Sequence, residues 1–129
     1  MGTYDAIAAY KRTDVETATP LQLVQKVYEV AIRSCHQAVA ALEVKQWEGA
    51  HLAFLKAQEA LTELISALDL KNGGDIAYNL LRLYGYMYER LTEANVRKTT
   101  EPVQEVVSIL EELVAAWYQI SNNNGHGGR

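Results

Sequence analysis

Apolar residues return every three or four positions through most of the chain, and no segment alternates apolar and polar residues with a period of two. Steps of three and four place side chains on one face of an α-helix, whereas a period of two is typical of a half-buried strand. Breaks at residues 44–46, 71–75 and 97–102 leave four helical segments. Four helices of similar length with short connections predict an all-α fold, an antiparallel four-helix bundle.

The first helix has a well-marked start. Thr19 is a suitable cap, Pro20 suits the first helical position, and Gln22 completes a capping box. The turn that ends it is placed at Val44–Gln46, because a single helix of about 50 residues would be about 75 Å long with nothing to cover it.

The second break lies at 71-KNGGD-75. Asn72 or Gly73 is predicted to take the left-handed conformation that ends a helix, and Asp75 to cap the third helix. The third helix is predicted to run to about Lys98. We therefore divide the chain into an N-terminal cap segment (1–18), a bundle (19–120) and a disordered tail rich in Gly and Asn (121–129).

Charge and composition exclude several function classes. The formal net charge is −4 and only 12 residues are Lys or Arg, which are scattered, so neither a nucleic acid nor an anionic membrane is an expected partner. No window of about 18 uncharged apolar residues is present, so no membrane insertion is predicted. Cys35 is the single cysteine and forms no internal disulfide. We expect a cytoplasmic protein.

Signals for catalysis are few. Glu48 and His51 match the Glu-x-x-His half of a di-iron site, but no second half-site accompanies them, so they are interpreted as a surface pair. Cys35 lies on the core stripe of the first helix, where a thiol keeps its proton and is inert. Gly73 and Gly74 follow no strand and form no phosphate loop. We predict no enzymatic activity, metal or cofactor.

The third helix carries more apolar surface than a bundle core requires, since a surface helix needs an apolar arc of little more than 100°. One stripe at helical spacing is Ile76, Leu80, Leu83, Met87, Leu91 and Ala94. A second stripe beside it is Ala77, Leu81, Tyr84 and Tyr88. The first helix repeats this pattern with Leu23, Val27 and Val30. Either neighbouring helices cover these second stripes, or a partner does.

Two motifs resemble the flagellar export chaperone FliS family. One runs from Tyr10 through Val15-x-Thr-Ala-Thr-Pro to Tyr28 and Ala31, and the other is Gly73-Gly-Asp-Ile-Ala-x-Asn-Leu-x-x-Leu-Tyr-x-Tyr-Met with the following Arg90-Leu-x-x-Ala-Asn. The similarity covers about residues 4 to 118. The resemblance implies a cytosolic chaperone that binds the C-terminal segment of flagellin in apolar grooves and prevents its polymerisation before type III export.

The resemblance also implies that the N-terminal segment caps part of the groove. Together with the second stripes, it gives these candidate partner-binding residues: Tyr10, Val15, Ile76, Leu80, Leu81, Tyr84 and Tyr88. The flagellar export gate is a further partner that the resemblance leaves open. The chain is expected to be a monomer or a weak homodimer, and the alternative function is a self-associating structural bundle without a client.

The sequence departs from the family pattern at a few positions. Gly85 stands where the family often has an acidic residue between the tyrosines of the third helix, and the turn at Val44–Gln46 lacks the usual Gly-Asp. A glycine inside a helix costs about 1 kcal/mol relative to alanine. Gly85 either lets a partner helix approach closely or bends the third helix.

Overall fold

The computed structural model describes residues 20–127, with side chains for residues 22–120, and within that range it contains four helices and no strand. The helices are α1 (Pro20–Glu43), α2 (Trp47–Ser66), α3 (Leu70–Arg97) and α4 (Glu101–Gly127). The predicted all-α four-helix bundle is confirmed. The cap segment, residues 1–18, lies outside the described residues.

The helices are arranged as a ring in chain order. α1 packs against α2 and α4, and α3 packs against α2 and α4. Antiparallel neighbours follow from the short connections between consecutive helices. The start of α3 and the end of α4 therefore lie at the same end of the bundle as the start of α1.

Many of the buried residues of α1 and α2 are small. These side chains are buried, with almost no exposed surface: Ala31, Ala38, Ala50, Ala53, Ala57 and Ala60. Alanine lets two helices pack at the short end of the usual 8–10 Å range of interaxial distances. The larger core side chains, including Phe54, Met87 and Leu110, fill the space between the four helices.

The turn between α1 and α2 lies at residues 44–46, where the sequence predicts it. Lys45 adopts a positive φ of 60°. The N–H of Gln46 donates to the carbonyl of Ala41 (2.9 Å), and that of Lys45 donates to Leu42 (3.1 Å). This pair of bonds is a Schellman motif, with lysine in the position that glycine usually takes.

The connection between α2 and α3 differs from the prediction. α2 ends at Ser66, and Asp69 caps α3 by accepting a hydrogen bond from the N–H of Asn72 at 3.0 Å. Bonds from Asn72 also hold the pKa of the Asp69 carboxyl below its usual value. The prediction that Asp75 caps α3 is wrong because α3 begins at Leu70, so the capping position is taken by Asp69, six residues before Asp75.

Neither Asn72 nor Gly73 takes the positive φ predicted there, because Gly74 does, with φ 59° and ψ −143°. This conformation interrupts α3 after its first turn, and regular helix resumes at Asp75. Gly73 is needed for a different reason, since a Cβ there would lie 2.6 Å from the Cβ of Ala77.

α4 is longer than predicted. Its backbone is helical to Gly127, whereas the sequence predicts that the bundle ends at residue 120 and a disordered tail follows. Extending an existing helix adds one hydrogen bond for each residue that is ordered, so a helix continues past weak helix formers more easily than it starts on them.

Candidate partner-binding surface

Tyr84 lies in the core and not on the surface. It is 1% exposed, and its hydroxyl forms a hydrogen bond with the hydroxyl of Tyr28 across the bundle at 2.5 Å. The indole Nε1 of Trp117 donates to the same Tyr28 oxygen at 3.0 Å. Three side chains from α1, α3 and α4 therefore form one buried polar chain, which we call the hydroxyl network.

Burial raises the pKa of both phenols above the ordinary value of a tyrosine. The two rings are tilted with centroids 6.4 Å apart. Because a buried hydroxyl without a partner costs about 1–3 kcal/mol, the pairing allows two tyrosines inside the core. The prediction that Tyr84 lies on an exposed groove is therefore wrong for the free chain, in which the side chain is packed inside the bundle.

A line of exposed and half-buried uncharged residues follows the side of α3 next to α2. We call it the tyrosine stripe, and its members are Tyr78, Leu81, Gly85, Tyr88 and Val96. Tyr78 is 52% exposed, Tyr88 40% and Val96 76%. Leu81 is half-buried, but it is not among the residues that pack against the core.

The seam between α2 and α3 fixes the position of this stripe. The side-chain amide of Gln58, which is buried, donates to the carbonyl of Tyr88 (3.1 Å) and to the hydroxyl of Thr92 (2.8 Å). Leu55 lies one turn earlier on α2 and is exposed, so it extends the apolar surface beside the stripe. Gln58 thus holds the backbone at Tyr88 against α2 while the ring of Tyr88 stays accessible.

A second apolar surface lies at the end of the bundle where α3 begins and α4 ends. We call it the apolar end, and it is formed by Ile76, Leu80, Trp117 and Ile120. Ile76 is 73% exposed and Ile120 is also exposed, while Leu80 and Trp117 are half-buried against the core. Earlier on α4, Val106 and Leu110 are fully buried. The seam of α4 therefore opens towards its C-terminal end.

The predicted site residues are thus divided among three places. Leu81 and Tyr88 lie on the tyrosine stripe, Ile76 and Leu80 lie at the apolar end, and Tyr84 is buried between the two. Tyr10 and Val15 lie outside the described residues. Ile76 belongs by spacing to the stripe that was assigned to the core, yet it is exposed because it lies near the start of α3, at the end of the bundle.

Two residues of the tyrosine stripe were missed from the sequence. Tyr78 and Val96 continue the line through Leu81 and Tyr88 at helical spacing, and the recurrence of Tyr78 three residues before Leu81 was the available signal. On α1, by contrast, Val27 of the predicted second stripe is buried in the core, and Leu23 and Val30 are half-buried. Neighbouring helices cover much of the second stripe there.

Tyr86 is exposed but belongs to neither surface. Its hydroxyl donates to Glu105 Oε2 on α4 at 2.7 Å, and Arg90 Nε donates to Glu105 Oε1 at 2.7 Å. These bonds, first that of Tyr86 and then that of Arg90, hold the pKa of the Glu105 carboxyl below its usual value. Tyr86 thus links α3 to α4.

The residues weighed for chemistry have structural surroundings. Cys35 is fully buried, and burial raises the pKa of its thiol to about 12. The amide Nδ2 of Asn95 donates to His51 Nδ1 at 2.9 Å, which joins α2 to α3. In the described part of the chain, no three His, Cys, Asp or Glu side chains are grouped as metal ligands. No helix there is long and apolar enough to cross a membrane.

Comparisons with known proteins agree on one family. Residues 3–124 match the family model described as flagellar protein FliS. The chain is 35% identical to the flagellar secretion chaperone FliS of Salmonella typhimurium, covering 94% of this chain and 93% of that protein. It is 34% identical to the flagellar secretion chaperone FliSB of Pseudomonas aeruginosa (91% and 96% covered) and 28% identical to FliS of Bacillus subtilis (99% and 98% covered).

Proposed function

The chain belongs to the FliS family of flagellar secretion chaperones, and on that premise we propose that its client is flagellin. In this proposal the chain binds the C-terminal segment of flagellin in the cytoplasm and prevents it from polymerising before flagellar type III export. Because the family is one of chaperones and not of enzymes, the prediction that the chain is not an enzyme is confirmed.

The observation that carries the proposal is apolar surface on two sides of α3 that the bundle leaves uncovered. The tyrosine stripe exposes Tyr78 and Tyr88, and the apolar end exposes Ile76 and Ile120. Tyrosine suits a surface that is alternately wet and covered, since its ring is apolar and its hydroxyl is compatible with water. Exposed apolar patches are typical of binding sites.

The recognition mode that fits these surfaces is an amphipathic helix on an apolar groove. A helical bundle offers no free strand edge, so a client cannot extend a sheet and must be recognised through its side chains. Burial of apolar area at about 25 cal/mol per Å² then offsets the entropy of ordering the client. Since none of the five stripe residues is charged, we expect the affinity to depend only weakly on salt.

The two surfaces require a client that reaches both. The tyrosine stripe lies on the α2 side of α3, whereas the apolar end includes residues of α4, so one short rigid helix does not cover both. A long segment that is partly helical and partly extended fits this arrangement. The N-terminal segment with Tyr10 and Val15 leads into α1 at the apolar end, and in our proposal it covers that end until the client displaces it.

The direct test is co-purification with flagellin, followed by titration of the isolated flagellin C-terminal peptide in a calorimeter at low and high salt. We expect a one-to-one complex whose dissociation constant changes little with salt. Deletion of residues 1–18 should change that affinity, because it removes either a competitor or a contact. Failure of the full chain to bind the peptide refutes the client assignment.

Light scattering of the free protein tests the alternative. A stable homodimer whose exposed tyrosines become protected, together with absence of peptide binding, would favour a self-associating bundle. A monomer that forms a complex with the peptide supports the chaperone function.

A further inference from the structure

Gly85 lies in the middle of the tyrosine stripe, and no contact among the described residues explains it. A Cβ added there would meet no atom of the described residues within 4 Å. The only non-helical backbone within α3 is at Gly74, so α3 does not bend at Gly85. Of the two roles that the sequence leaves open for this glycine, the regular helical backbone favours close approach of a partner over a break in the helix.

Gly85 lowers the stability of α3, and no other contact of the described residues compensates for this loss. Glycine in a helix interior is less favourable than alanine by about 1 kcal/mol. Gly73 and Gly74 have internal reasons, a contact with Ala77 and a positive φ, but Gly85 has neither. An uncompensated local cost of this kind is expected at positions that serve binding.

The surroundings of Gly85 form a notch. Leu81 lies one turn before it and the exposed ring of Tyr88 one turn after it, while Tyr78 extends the same face. The missing Cβ lowers the helix surface between Leu81 and Tyr88 on one side and the exposed, charged Arg82 and Glu89 on the other. Two helices pack 8–10 Å apart depending on the side chains at the point of contact, so a glycine at the crossing point permits the shortest separation.

We propose that Gly85 is the point at which the backbone of the client helix comes closest to the chaperone. This inference rests on the proposed function and specifies how the client is seated. The client presents an uncharged apolar face to the stripe, with one large side chain placed in the notch. Bulk at position 85 then determines which clients fit.

A second copy of this chain is the less suitable occupant. From Tyr78 to Val96 the stripe is about 27 Å long at 1.5 Å per residue and about 10 Å wide. A symmetric dimer through this stripe alone buries roughly 540 Å² in total, well below the roughly 1,200 Å² of a stable interface. A client that continues from the stripe to the apolar end is not limited in this way.

The test is Gly85→Ala in the full chain, with Gly49→Ala as the matched control. Gly49 is an exposed helical glycine on α2, and a Cβ there makes only ordinary contacts at 3.8 Å or more. Both substitutions should raise Tm by about 3–5 °C, because each replaces a helical glycine by alanine. Gly85→Ala alone should weaken binding of the flagellin C-terminal peptide by at least tenfold.

The outcomes separate the possible failures. If the wild type binds the peptide and Gly85→Ala binds it as tightly, the inference is overturned and the proposed function stands. If the wild type does not bind the peptide, both are overturned. If sedimentation shows a wild-type dimer that Gly85→Ala dissociates while peptide affinity is unchanged, the notch belongs to a second copy and the inference is overturned.

Discussion

Replacing Tyr88 with alanine should weaken client binding while leaving the fold largely intact. The side chain is 40% exposed in the free chain. A tyrosine presents about 200 Å² of surface, so about 80 Å² of it is open to be covered by a client. At about 25 cal/mol per Å², covering that area contributes about 2 kcal/mol. We therefore expect the dissociation constant of the flagellin peptide to rise about 30-fold.

Tyr84→Ala should have the opposite effect, a large loss of stability with no separate loss of peptide affinity. Tyr84 is 1% exposed, and truncating a buried aromatic side chain to alanine costs about 3–5 kcal/mol of unfolding free energy. That is a large share of the 5–15 kcal/mol that stabilises a typical domain. This variant should lose binding only in proportion to the fraction of protein that is unfolded.

Two measurements on the same samples separate the variants. Urea unfolding followed by circular dichroism gives stability, and calorimetric titration of the peptide at a temperature where both variants are folded gives affinity. Our assignment of core and surface is refuted if Tyr88→Ala is strongly destabilised with affinity unchanged. It is equally refuted if Tyr84→Ala keeps wild-type stability but loses binding.

The remaining predictions concern the core and one glycine. Burial raises the pKa of Tyr28, Tyr84 and Cys35, so their protonated forms favour the folded state. That stability is present below the unfolded values of about 9 for the thiol and 10 for the phenols, and it is lost as the pH rises. The unfolding free energy from urea titrations should therefore fall above about pH 9, by at most about 1.4 kcal/mol per pH unit for each group, and Cys35→Ala should flatten the decrease between pH 9 and 10. Cys35 should react with a thiol reagent only as fast as the protein opens, and rapid labelling of native protein contradicts its burial. Gly74→Ala should lower the unfolding free energy by about 1–3 kcal/mol because φ there is 59°, and an unchanged melting temperature would argue against that strain.

Most of the fold could be predicted because each helix carries its own period and its own end signals. The turn at residues 44–46 was predicted correctly although Lys45 occupies the left-handed position. The position followed from the length of a single continuous helix, which nothing would cover, and not from residues typical of a turn. The connection at Asp69 was mislocated because two adjacent glycines are the stronger signal in the sequence, while Asp69 acts through a hydrogen bond to Asn72.

The candidate site could be predicted only as an excess of apolar surface on α3. Periodicity shows how wide an apolar arc is, but it does not show which edge of that arc faces a neighbouring helix. Tyr84 was assigned to the surface because its hydroxyl suits water, whereas its partner, Tyr28, is 56 residues away on the opposite helix. Ile76 shares its helical spacing with core residues such as Met87 and Leu91, although it is 73% exposed near the start of α3.

The hydroxyl network has a consequence for how the bundle keeps a single alignment. The α1–α2 seam is lined by alanines, whose short side chains offer little resistance to one helix sliding along another. Sliding α1 by one turn, about 5.4 Å, would carry Tyr28 away from both Tyr84 and Trp117 and leave polar atoms unpaired in the core. The tyrosine pair and the indole therefore fix the axial register of α1, α3 and α4. The alanine contact between α1 and α2 can then be close without having to specify the register itself.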